Sequence, residues 1–397
     1  MFSSNITSLL TTKKSKPQPN SNIKIRLYLS PEQKVFFNKI AGVRRFIYNN
    51  VLSYLKTQPK IPPIKVLRAQ FVNDGAYKNT ENEWMLEYEY DIRDEALRDI
   101  LKNYKSNIAK GEKFKLRYKK KVNDKKHCSM SVMNKKWNKT NNYYAPLFNI
   151  KNLKTSDPLP ETLEYTSRLI RHNDKFYLSI PRYIANEKDT KKENKICSID
   201  PGQKTFATIY DPEGKVILYG KKDIGLIGRL LSEKHKLQSK VDKASNRKKR
   251  HNYKRALMRI SDRIEHLVKD LHNKLAKFLC ENYNAILISK LNFHTMKKLT
   301  KRNKNKLKSY RHCEFVDLLI NKAKTYKDCK VLVVNEAFTS KTCCNCGHIH
   351  EKLGNNSEFI CPNCNLEILR DANGAIGIFL RYFTKRVKLN LLEESST

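Results

Sequence analysis

The first half of the chain begins with an alternating segment and then changes to helical spacing. Residues 23–29, IKIRLYL, alternate apolar and polar side chains, which predicts a strand. The tripeptide Ser30–Glu32 then supplies an N-cap, a first-turn proline and an early acid, which together predict the start of a helix. From there to Leu55 apolar residues recur at helical spacing, and residues 91–110 show the same pattern. One strand followed by a helical region is therefore expected.

Short alternating runs return after a very basic stretch at residues 113–126. Between Ser129 and Ile184 these runs include KFYLSIPRYI, whose alternation indicates strands. An early strand, inserted helices and later strands predict a small β-barrel interrupted by a helical lobe. The predicted boundaries are a disordered tail at 1–22, the barrel at 23–30 and 125–192, and the helical lobe at 31–124.

The second half has the pattern of an α/β sheet domain. Residues 196–220 predict three strands separated by turns, and the first of these strands ends at Asp200. The elements that follow are a long basic helical stretch from Ile227 to Tyr283, the strand AILIS ending at Ser289, a helix near 315–326, the strand KVLVVNE ending at Glu336, and a last helix. This order predicts an RNase H-like arrangement, although a fold by itself establishes no function.

Two Cys-x-x-Cys pairs lie between the last predicted strand and the last predicted helix. Cys343 and Cys346 are separated from Cys361 and Cys364 by fourteen residues, a spacing that suits four thiolates around Zn²⁺. Four protein ligands leave no open position, so a structural zinc is expected. The predicted boundaries are an α/β nuclease-type domain at 193–340 and 366–386, a zinc ribbon at 341–365, and a tail at 387–397.

The net charge narrows the class of partner. The 397 residues contain 80 Lys and Arg against 39 Asp and Glu, a formal net charge of +41. Such an excess indicates a nucleic-acid partner, whose phosphates neutralise it with release of counterions. A merely solvated basic surface is the alternative, and a membrane surface is less favoured because the basic residues do not flank an apolar anchor. With no signal peptide and no apolar run of about 20 residues, the sequence predicts a soluble intracellular protein.

Several basic clusters are candidates for contact with nucleic acid, and each has a solvated helix face or a disordered loop as its alternative. The first predicted helix carries basic and amide side chains suited to phosphate and base contact. Other basic runs lie before the barrel strands, within the long helical stretch, and between Ser289 and the next helix. The candidates are Arg44, Arg45, Lys119, Lys120, Lys121, Arg247, Lys248, Lys249, Arg250, Lys297 and Lys298.

Acidic residues at the ends of elements suggest the chemistry. Cleavage of a phosphodiester with two Mg²⁺ ions requires carboxylates that converge from different elements. Asp200 and Asp371 are the candidates, although an Asp before proline also forms turns. Asn373 either orients Asp371 or a bound water, or belongs to the start of the helix. Asp262, Glu265 and Asp270 are rival acids whose spacing also permits ordinary helical ion pairs; these rivals all lie in the long helical stretch.

The residues named so far carry a resemblance to a known family. SIDPGQKTFATIYD, ILISKLNF, FTSKTCCNCG with CPNC, and RDANGAIGI resemble the RuvC-type nuclease and zinc ribbon of the TnpB family. IKIRLYLSPEQKVFFNKIAGVRRFIYNNVL resembles the N-terminal region of that family. The resemblance implies a transposon-associated, Mg²⁺-dependent DNA endonuclease that is directed by a guide RNA from its own element. It also implies that the protein reads a short motif beside the target.

The resemblance exposes one departure, since TnpB proteins would have Glu where this chain has Ser289. A hydroxyl does not replace a carboxylate as a charged metal ligand. Glu336 ends the next strand, and adjacent strands lie about 4.8 Å apart, so this acid is expected to reach the same metals. A relocated acid resembles the Fanzor proteins, eukaryotic and giant-virus relatives of TnpB. The expected acidic ligands are therefore Asp200, Glu336 and Asp371, in a protein expected in the nucleus or viral factory of a eukaryotic host.

Two other classes of function stay open from the sequence. The missing acid at Ser289 is compatible with a catalytically weak or dead, RNA-guided regulator that binds DNA. An accessory transposition protein, acting through zinc-dependent DNA binding, is the second alternative.

Overall fold

The computed structural model describes residues 17–109, 116–138, 153–185, 195–289, 300–334, 339–354 and 356–394. The chain divides into two compact units, Met1–Ile184 (unit 1) and Ala185–Thr397 (unit 2). Glu336, Lys297 and Lys298 lie outside the described residues, as does most of the predicted N-terminal tail. Within the described ranges, no helix combines the length and the apolar character that crossing a membrane requires.

The described residues of unit 1 form one antiparallel sheet and four α-helices. Its pairing order is β2-β4-β5-β1-β3, and within the described strands no ladder joins β2 to β3, so the closed barrel stays a prediction. The elements are β1 (Ser21–Tyr28), α1 (Pro31–Thr57), α2 (Ile64–Phe71), α3 (Tyr90–Ile108), α4 (Lys121–Lys126), β2 (His127–Val132), β3 (Lys154–Thr155), β4 (Ser167–His172) and β5 (Lys175–Arg182). Ser21 and Asn22 already pair with β5, so the predicted tail at 1–22 is too long.

Helix α1 begins where the sequence predicts. The Ser30 hydroxyl accepts a hydrogen bond from the Gln33 amide, while the Gln33 side chain accepts one from the Ser30 amide, a reciprocal capping box. Most of its apolar face is buried, chiefly against α3, and the Phe37 ring meets Phe176 of β5 edge-on with centroids 4.9 Å apart. Packing of this face, rather than helix propensity alone, holds the 27-residue helix in place.

Unit 2 contains a five-stranded mixed sheet with helices on both faces, which confirms the predicted α/β class. The order is β10-β9-β6-β7-β8; β7 is antiparallel to both neighbours, whereas β9 and β10 run parallel to β6. The elements are β6 (Ile196–Pro201), β7 (Ala207–Asp211), β8 (Lys215–Tyr219), α5 (Lys221–Lys243), α6 (Arg247–Asn282), β9 (Ala285–Ser289), α7 (Lys301–Tyr310), α8 (His312–Ala323), β10 (Lys330–Val334), β11 (Glu358–Ile360), β12 (Glu367–Leu369) and α9 (Arg370–Glu394).

Several boundaries in unit 2 differ from the predictions. The helical stretch predicted as continuous from Ile227 to Tyr283 is two helices, because Asn246 caps α6 by accepting hydrogen bonds from two amides of its first turn. Residues 301–310 form a helix rather than a disordered basic loop. The β11-β12 hairpin extends past the predicted end of the zinc ribbon at residue 365. Helix α9 continues to Glu394, so most of the predicted tail at 387–397 is helical.

The two faces of the unit 2 sheet have different roles. Cys197, Ile199 and Ile288 point to the face covered by α6 and α8, where they are fully buried in an apolar core. Helix α9 packs on the opposite face, and the buried Ser198 hydroxyl donates a 2.7 Å hydrogen bond to the carbonyl of Ala375 in α9. That contact fixes the helix carrying Asp371 against the strand carrying Asp200.

Candidate active site and metal centre

Asp200 lies near the carboxyl end of β6, between two buried hydroxyl groups. The antiparallel register places Thr208 of β7 opposite Asp200. On the other side, Ile199 lies opposite Ile288, so the next residue of β9, Ser289, is the neighbour of Asp200. Thr208 and Ser289 are fully buried, and neither hydroxyl has a hydrogen-bond partner among the residues that the structure describes. The residue that replaces the expected glutamate is therefore enclosed in the sheet.

Helix α9 brings the second carboxylate to the same corner of the sheet. A Cβ atom at Gly374 would lie 2.6 Å from Oδ2 of Asp200, so only glycine permits this approach of the helix to the carboxylate. A Cβ at Gly202, two residues after Asp200, would lie 3.7 Å from Oδ2 of Asp371. Asp371 precedes Gly374 by three positions, which puts both on one side of the helix. Both carboxylates therefore lie near the corner where β6 ends and α9 begins.

The geometry fits a hard divalent cation. Both carboxylates are half-buried, they come from different elements, and the missing Cβ of Gly374 leaves space for the Asp200 carboxylate. Oxygen ligands of this type are the ones that Mg²⁺ prefers. Val334, the last described residue of β10, pairs with Ser289, and Glu336 follows two positions later in the sequence. The expected third ligand thus remains a prediction.

The rival acids on α6 have ordinary helical partners. Glu265 pairs with Lys269, and Asp270 pairs with Lys274 at 2.7 Å, each four residues along the helix. These contacts match the helical ion pairs that the spacing permitted. Asp262 lies on the same helix.

The loop after Asp200 rests on a buried aromatic group. Phe206 stacks on the His312 ring with centroids 4.6 Å apart. The His272 ring also packs against Phe206, and its Nε2 lies 2.9 Å from the carbonyl of Tyr310. Burial, with a smaller contribution from the nearby His272, lowers the pKa of His312 to about 4. Both imidazoles are consequently neutral at pH 7, which lets them pack as aromatic rings beneath the loop.

The four predicted cysteines come together as a metal centre. Their Sγ atoms all lie within 4.8 Å of one another; the Cys343–Cys364 distance is 3.7 Å and the Cys346–Cys361 distance is 3.5 Å. A tetrahedron with Zn–S bonds of about 2.3 Å has sulfurs separated by about 3.8 Å, so the thiolates fit zinc without rearrangement. Gly347 supplies the positive φ of the first knuckle, and its amide donates to the Cys343 carbonyl. The cluster is consistent with the structural zinc predicted from the sequence.

Asn373 connects this centre to the helix of Asp371. Its side-chain oxygen accepts a 2.9 Å hydrogen bond from the Cys344 amide, and its nitrogen donates a 2.9 Å bond to the Thr342 carbonyl. The residue is fully buried. Asn373 lies in the first turn of α9, and its contacts join the first cysteine knuckle to the helix of Asp371. A role in orienting Asp371 or a bound water stays a prediction.

The predicted nucleic-acid residues of unit 1 divide into internal and exposed groups. Arg44 is buried and pairs with Asp99, and Arg45 pairs with Asp124. The Lys119 ammonium lies 4.1 Å from the centroid of the Tyr48 ring, and burial lowers its pKa. These three cations therefore have partners within unit 1, and their contacts with nucleic acid stay a prediction. The exposed candidates are Lys120, Lys121, Arg247, Lys248, Lys249 and Arg250.

Two contributors to the site were not singled out from the sequence. Gly374 and Gly377 let other parts of unit 2 pack closely on α9. Gly374 lies against Asp200, and a Cβ at Gly377 would lie 3.0 Å from the Thr339 carbonyl oxygen. Their spacing in RDANGAIGI is the usable signal, since small residues one turn apart mark a close approach to a helix. Gly202 was visible as part of a turn, but its contact with Asp371 depends on the tertiary fold.

Three family models match parts of the chain. A helix-turn-helix domain model matches residues 20–60, a probable transposase model matches 179–300, and a Cas12f1-like TNB domain model matches 312–378. The first match folds here as strand β1 followed by the single helix α1, so its described residues form no helix-turn-helix. The other two cover the sheet with Asp200 and the segment that contains the cysteines and Asp371.

Viral proteins are among the relatives. A TnpB-like protein of Acanthamoeba polyphaga mimivirus is 28% identical over 404 residues, which cover 90% of this chain and 72% of that protein. A putative transposase of Paramecium bursaria Chlorella virus 1 is 23% identical over 395 residues, covering 93% and 88%. These matches relate the chain to the TnpB and IS605 transposases.

Solved structures with a similar arrangement include a Cas12f1–sgRNA–target DNA complex and a CRISPR-Cas12f ternary complex. The first is 15% identical, with coverage of 90% of this chain and 98% of that chain and a TM-score of 0.35. The second is 14% identical, with coverage of 88% and 82% and the same TM-score. We draw no functional conclusion from TM-scores of this size.

Proposed function

We propose that this chain is an RNA-guided DNA endonuclease of the Fanzor type, with a RuvC-like nuclease domain in unit 2. The observation that carries the proposal is the placement of the Asp200 and Asp371 carboxylates near one corner of the sheet, with Gly374 as the close neighbour of Asp200. The relationship to transposases supports a nuclease associated with a mobile element. Cleavage by hydrolysis of a phosphodiester is the chemistry that such a carboxylate pair supports.

In this proposal Asp200, Glu336 and Asp371 hold Mg²⁺. When bound, the metal supplies Lewis-acid stabilisation of the scissile phosphate and a more acidic water. The chain itself fixes the carboxylates: Gly374 allows α9 to reach Asp200, and the Ser198 hydroxyl holds α9 on the strand. The zinc ribbon acts by position, because Asn373 joins its first knuckle to the helix of Asp371.

A guide RNA and a double-stranded DNA target are the proposed partners, and the charge of +41 supports them. In unit 2, α6 begins with four exposed cations, Arg247–Arg250, and its first described buried residue is Ile264. The first half of this 36-residue helix therefore presents its cations to solvent, where they can meet phosphates. Lys120, Lys121, Lys297 and Lys298 are proposed as further contacts. The expected site of action is a eukaryotic nucleus or a viral factory.

One experiment tests the function. The full-length protein is purified with its co-expressed RNA and offered a plasmid with the guide-matched target beside randomised flanks, in Mg²⁺ or in chelator. We expect Mg²⁺-dependent cleavage next to a short motif, abolished by Asp200→Ala, Asp371→Ala or Glu336→Ala. Asp270→Ala is the matched control, because this acid is exposed and paired with Lys274 on α6. Full cleavage by Glu336→Ala would remove that residue from the proposed ligands.

A second candidate function is a weak or inactive RNA-guided regulator, favoured by the enclosed hydroxyl at Ser289. Guide-dependent binding of the matched target without cleavage in Mg²⁺ or Mn²⁺ would select it. Zinc-dependent DNA binding that needs no RNA would instead identify an accessory transposition protein.

A further inference from the structure

A groove of about 930 Å³ runs between helices α5 and α7 of unit 2. Two glycines of α5, Gly225 and Gly228, form part of its floor. A Cβ atom at Gly225 would have no neighbour within 4 Å, and one at Gly228 would lie 3.8 Å from Cε of Lys306. The stem of Lys306 therefore lies across the helix at Gly228, and the backbone of α5 is open to a ligand at Gly225.

The side chains around this groove are suited to a phosphodiester. Arg229 and Lys236 of α5 and Lys306 of α7 contribute three cations, and Asn303 and Asn305 contribute amide donors. None of the described residues that line the groove is acidic, and the one ring among them is the His235 imidazole. A set of side chains dominated by cations and amides favours contact with the sugar-phosphate backbone over stacking on bases.

The α7 wall leads toward the carboxylate corner. Helix α7 ends at Tyr310, whose carbonyl lies 2.9 Å from Nε2 of His272. His312, two residues later, stacks on Phe206 in the loop that follows Asp200. The end of α7 is therefore connected through buried side chains to the loop beside the first acid.

We propose that the α5–α7 groove holds the backbone of the single DNA strand that enters the corner formed by Asp200 and Asp371. The strand's destination rests on the proposed nuclease function, whereas binding in the groove can be measured without cleavage. A volume of about 930 Å³ is in the range of small-ligand pockets, so it accommodates a few nucleotides of one strand and excludes a duplex.

Gly225 allows a test that leaves the charge unchanged. Gly225→Leu places a side chain in the groove, whereas Gly225→Ala leaves most of it open; both replacements suit a helix. We expect Gly225→Leu to weaken binding of a fluorescent 20-nucleotide DNA strand about fivefold by anisotropy, with Gly225→Ala within twofold of the unchanged protein. Equal affinities for the two variants would overturn the proposal.

Charge removal gives the second test. The groove variant R229Q/K236Q/K306Q is compared with K215Q/K221Q/K274Q, which removes three exposed cations of unit 2 outside the groove. Three lost phosphate contacts should lower the slope of log affinity against log salt by about 2, and lower affinity about tenfold near physiological salt. Equal losses of DNA affinity in both triple variants would show that binding depends only on the overall charge, and would overturn the proposal that the groove binds the strand.

The same measurements with RNA of identical sequence decide the occupant. Loss of DNA binding with Gly225→Leu, measured in chelator and in an Asp200→Ala background, supports the proposal even if cleavage is never observed. A loss restricted to RNA would overturn the assignment to DNA. If the protein cleaves its target, Gly225→Leu should slow cleavage while Gly225→Ala does not.

Discussion

Charged residues are used differently on helix α1 of unit 1 and at the sheet end of unit 2. Arg44 and Arg45 form an exposed-looking basic cluster in the sequence, yet each is paired with an aspartate inside unit 1. Asp200 and Asp371 are half-buried at the ends of their elements, and a glycine lies close to the carboxylate of each. The comparison shows that a cluster of charged residues in the sequence does not reveal which groups those residues contact. The position of an acid at the end of a strand, by contrast, follows from the backbone of that strand.

The largest effect is expected on the unit 1 side of the comparison. Arg44→Ala leaves Asp99 without its main partner in a largely buried position, so we expect a loss of about 3 kcal/mol in the free energy of unfolding. Chemical denaturation measures it. The salt dependence of nucleic-acid binding should stay unchanged, because Arg44 contacts no external phosphate in this interpretation.

Exposed lysines provide the matched control for Arg44. K120Q/K121Q should lower the salt slope of RNA or DNA binding by about 1 to 2 while leaving the unfolding free energy within about 0.5 kcal/mol. The comparison between units would break down if Arg44→Ala lowered the salt slope and left stability unchanged.

Gly374→Ala addresses the other side of the comparison. The new Cβ would lie 2.6 Å from Oδ2 of Asp200, so the carboxylate or the helix must move. A displacement of about 1 Å at a catalytic group costs on the order of 100-fold in rate. We therefore expect cleavage of the guide-matched plasmid to fall about 100-fold in single-turnover assays, with guide RNA still bound.

The control for this variant is Gly225→Ala, also within a helix but with open space at the Cβ position. It should leave the cleavage rate within about twofold, because alanine favours a helix and meets no atom there. Wild-type cleavage by Gly374→Ala would show that the close approach of α9 to Asp200 is unimportant for the reaction.

The predictable part of the molecule is the part set by local pattern. Alternation and helical spacing gave the order of the elements, and Asp200 was recognised because a strand pattern ends there before Pro201 and Gly202. The cysteine spacing likewise identified four thiolates that meet in the structure. Each of these features depends on a short stretch of sequence or on a fixed ligand geometry.

The remaining features depend on contacts between distant segments. Arg44 and Asp99 are 55 residues apart, so helical spacing does not reveal their pairing. The fit of Gly374 against Asp200 requires α9 to pack on β6, which no local pattern specifies. The end of α5 was missed for another reason: apolar spacing continues nearby, and only the N-cap Asn246 marks the break.

Asn373 tests whether the metal centre positions the second acid. Asn373→Ala removes two hydrogen bonds between buried groups, and we expect about tenfold slower cleavage with one zinc still bound per chain. Zinc content is measured by elemental analysis beside the cleavage rate.

Removal of zinc from the unchanged protein should impair cleavage more than DNA binding. Full cleavage by verified zinc-free protein would contradict the positioning role.

Removal of the Ser289 hydroxyl is expected to give the smallest effect on stability and cleavage. It tests whether Ser289 takes part in the reaction or only lies beside the residues that do. Its hydroxyl is enclosed and has no hydrogen-bond partner among the described residues. Ser289→Ala should therefore change the unfolding free energy by less than about 0.5 kcal/mol and the cleavage rate by less than about twofold.

Ser289→Glu instead buries a carboxylate beside Asp200, so it should lower the melting temperature in chelator. The melting temperature should recover in Mg²⁺, because a bound cation offsets the added charge. A large loss of cleavage in Ser289→Ala would place the hydroxyl itself in the reaction and remove the need for a relocated acid.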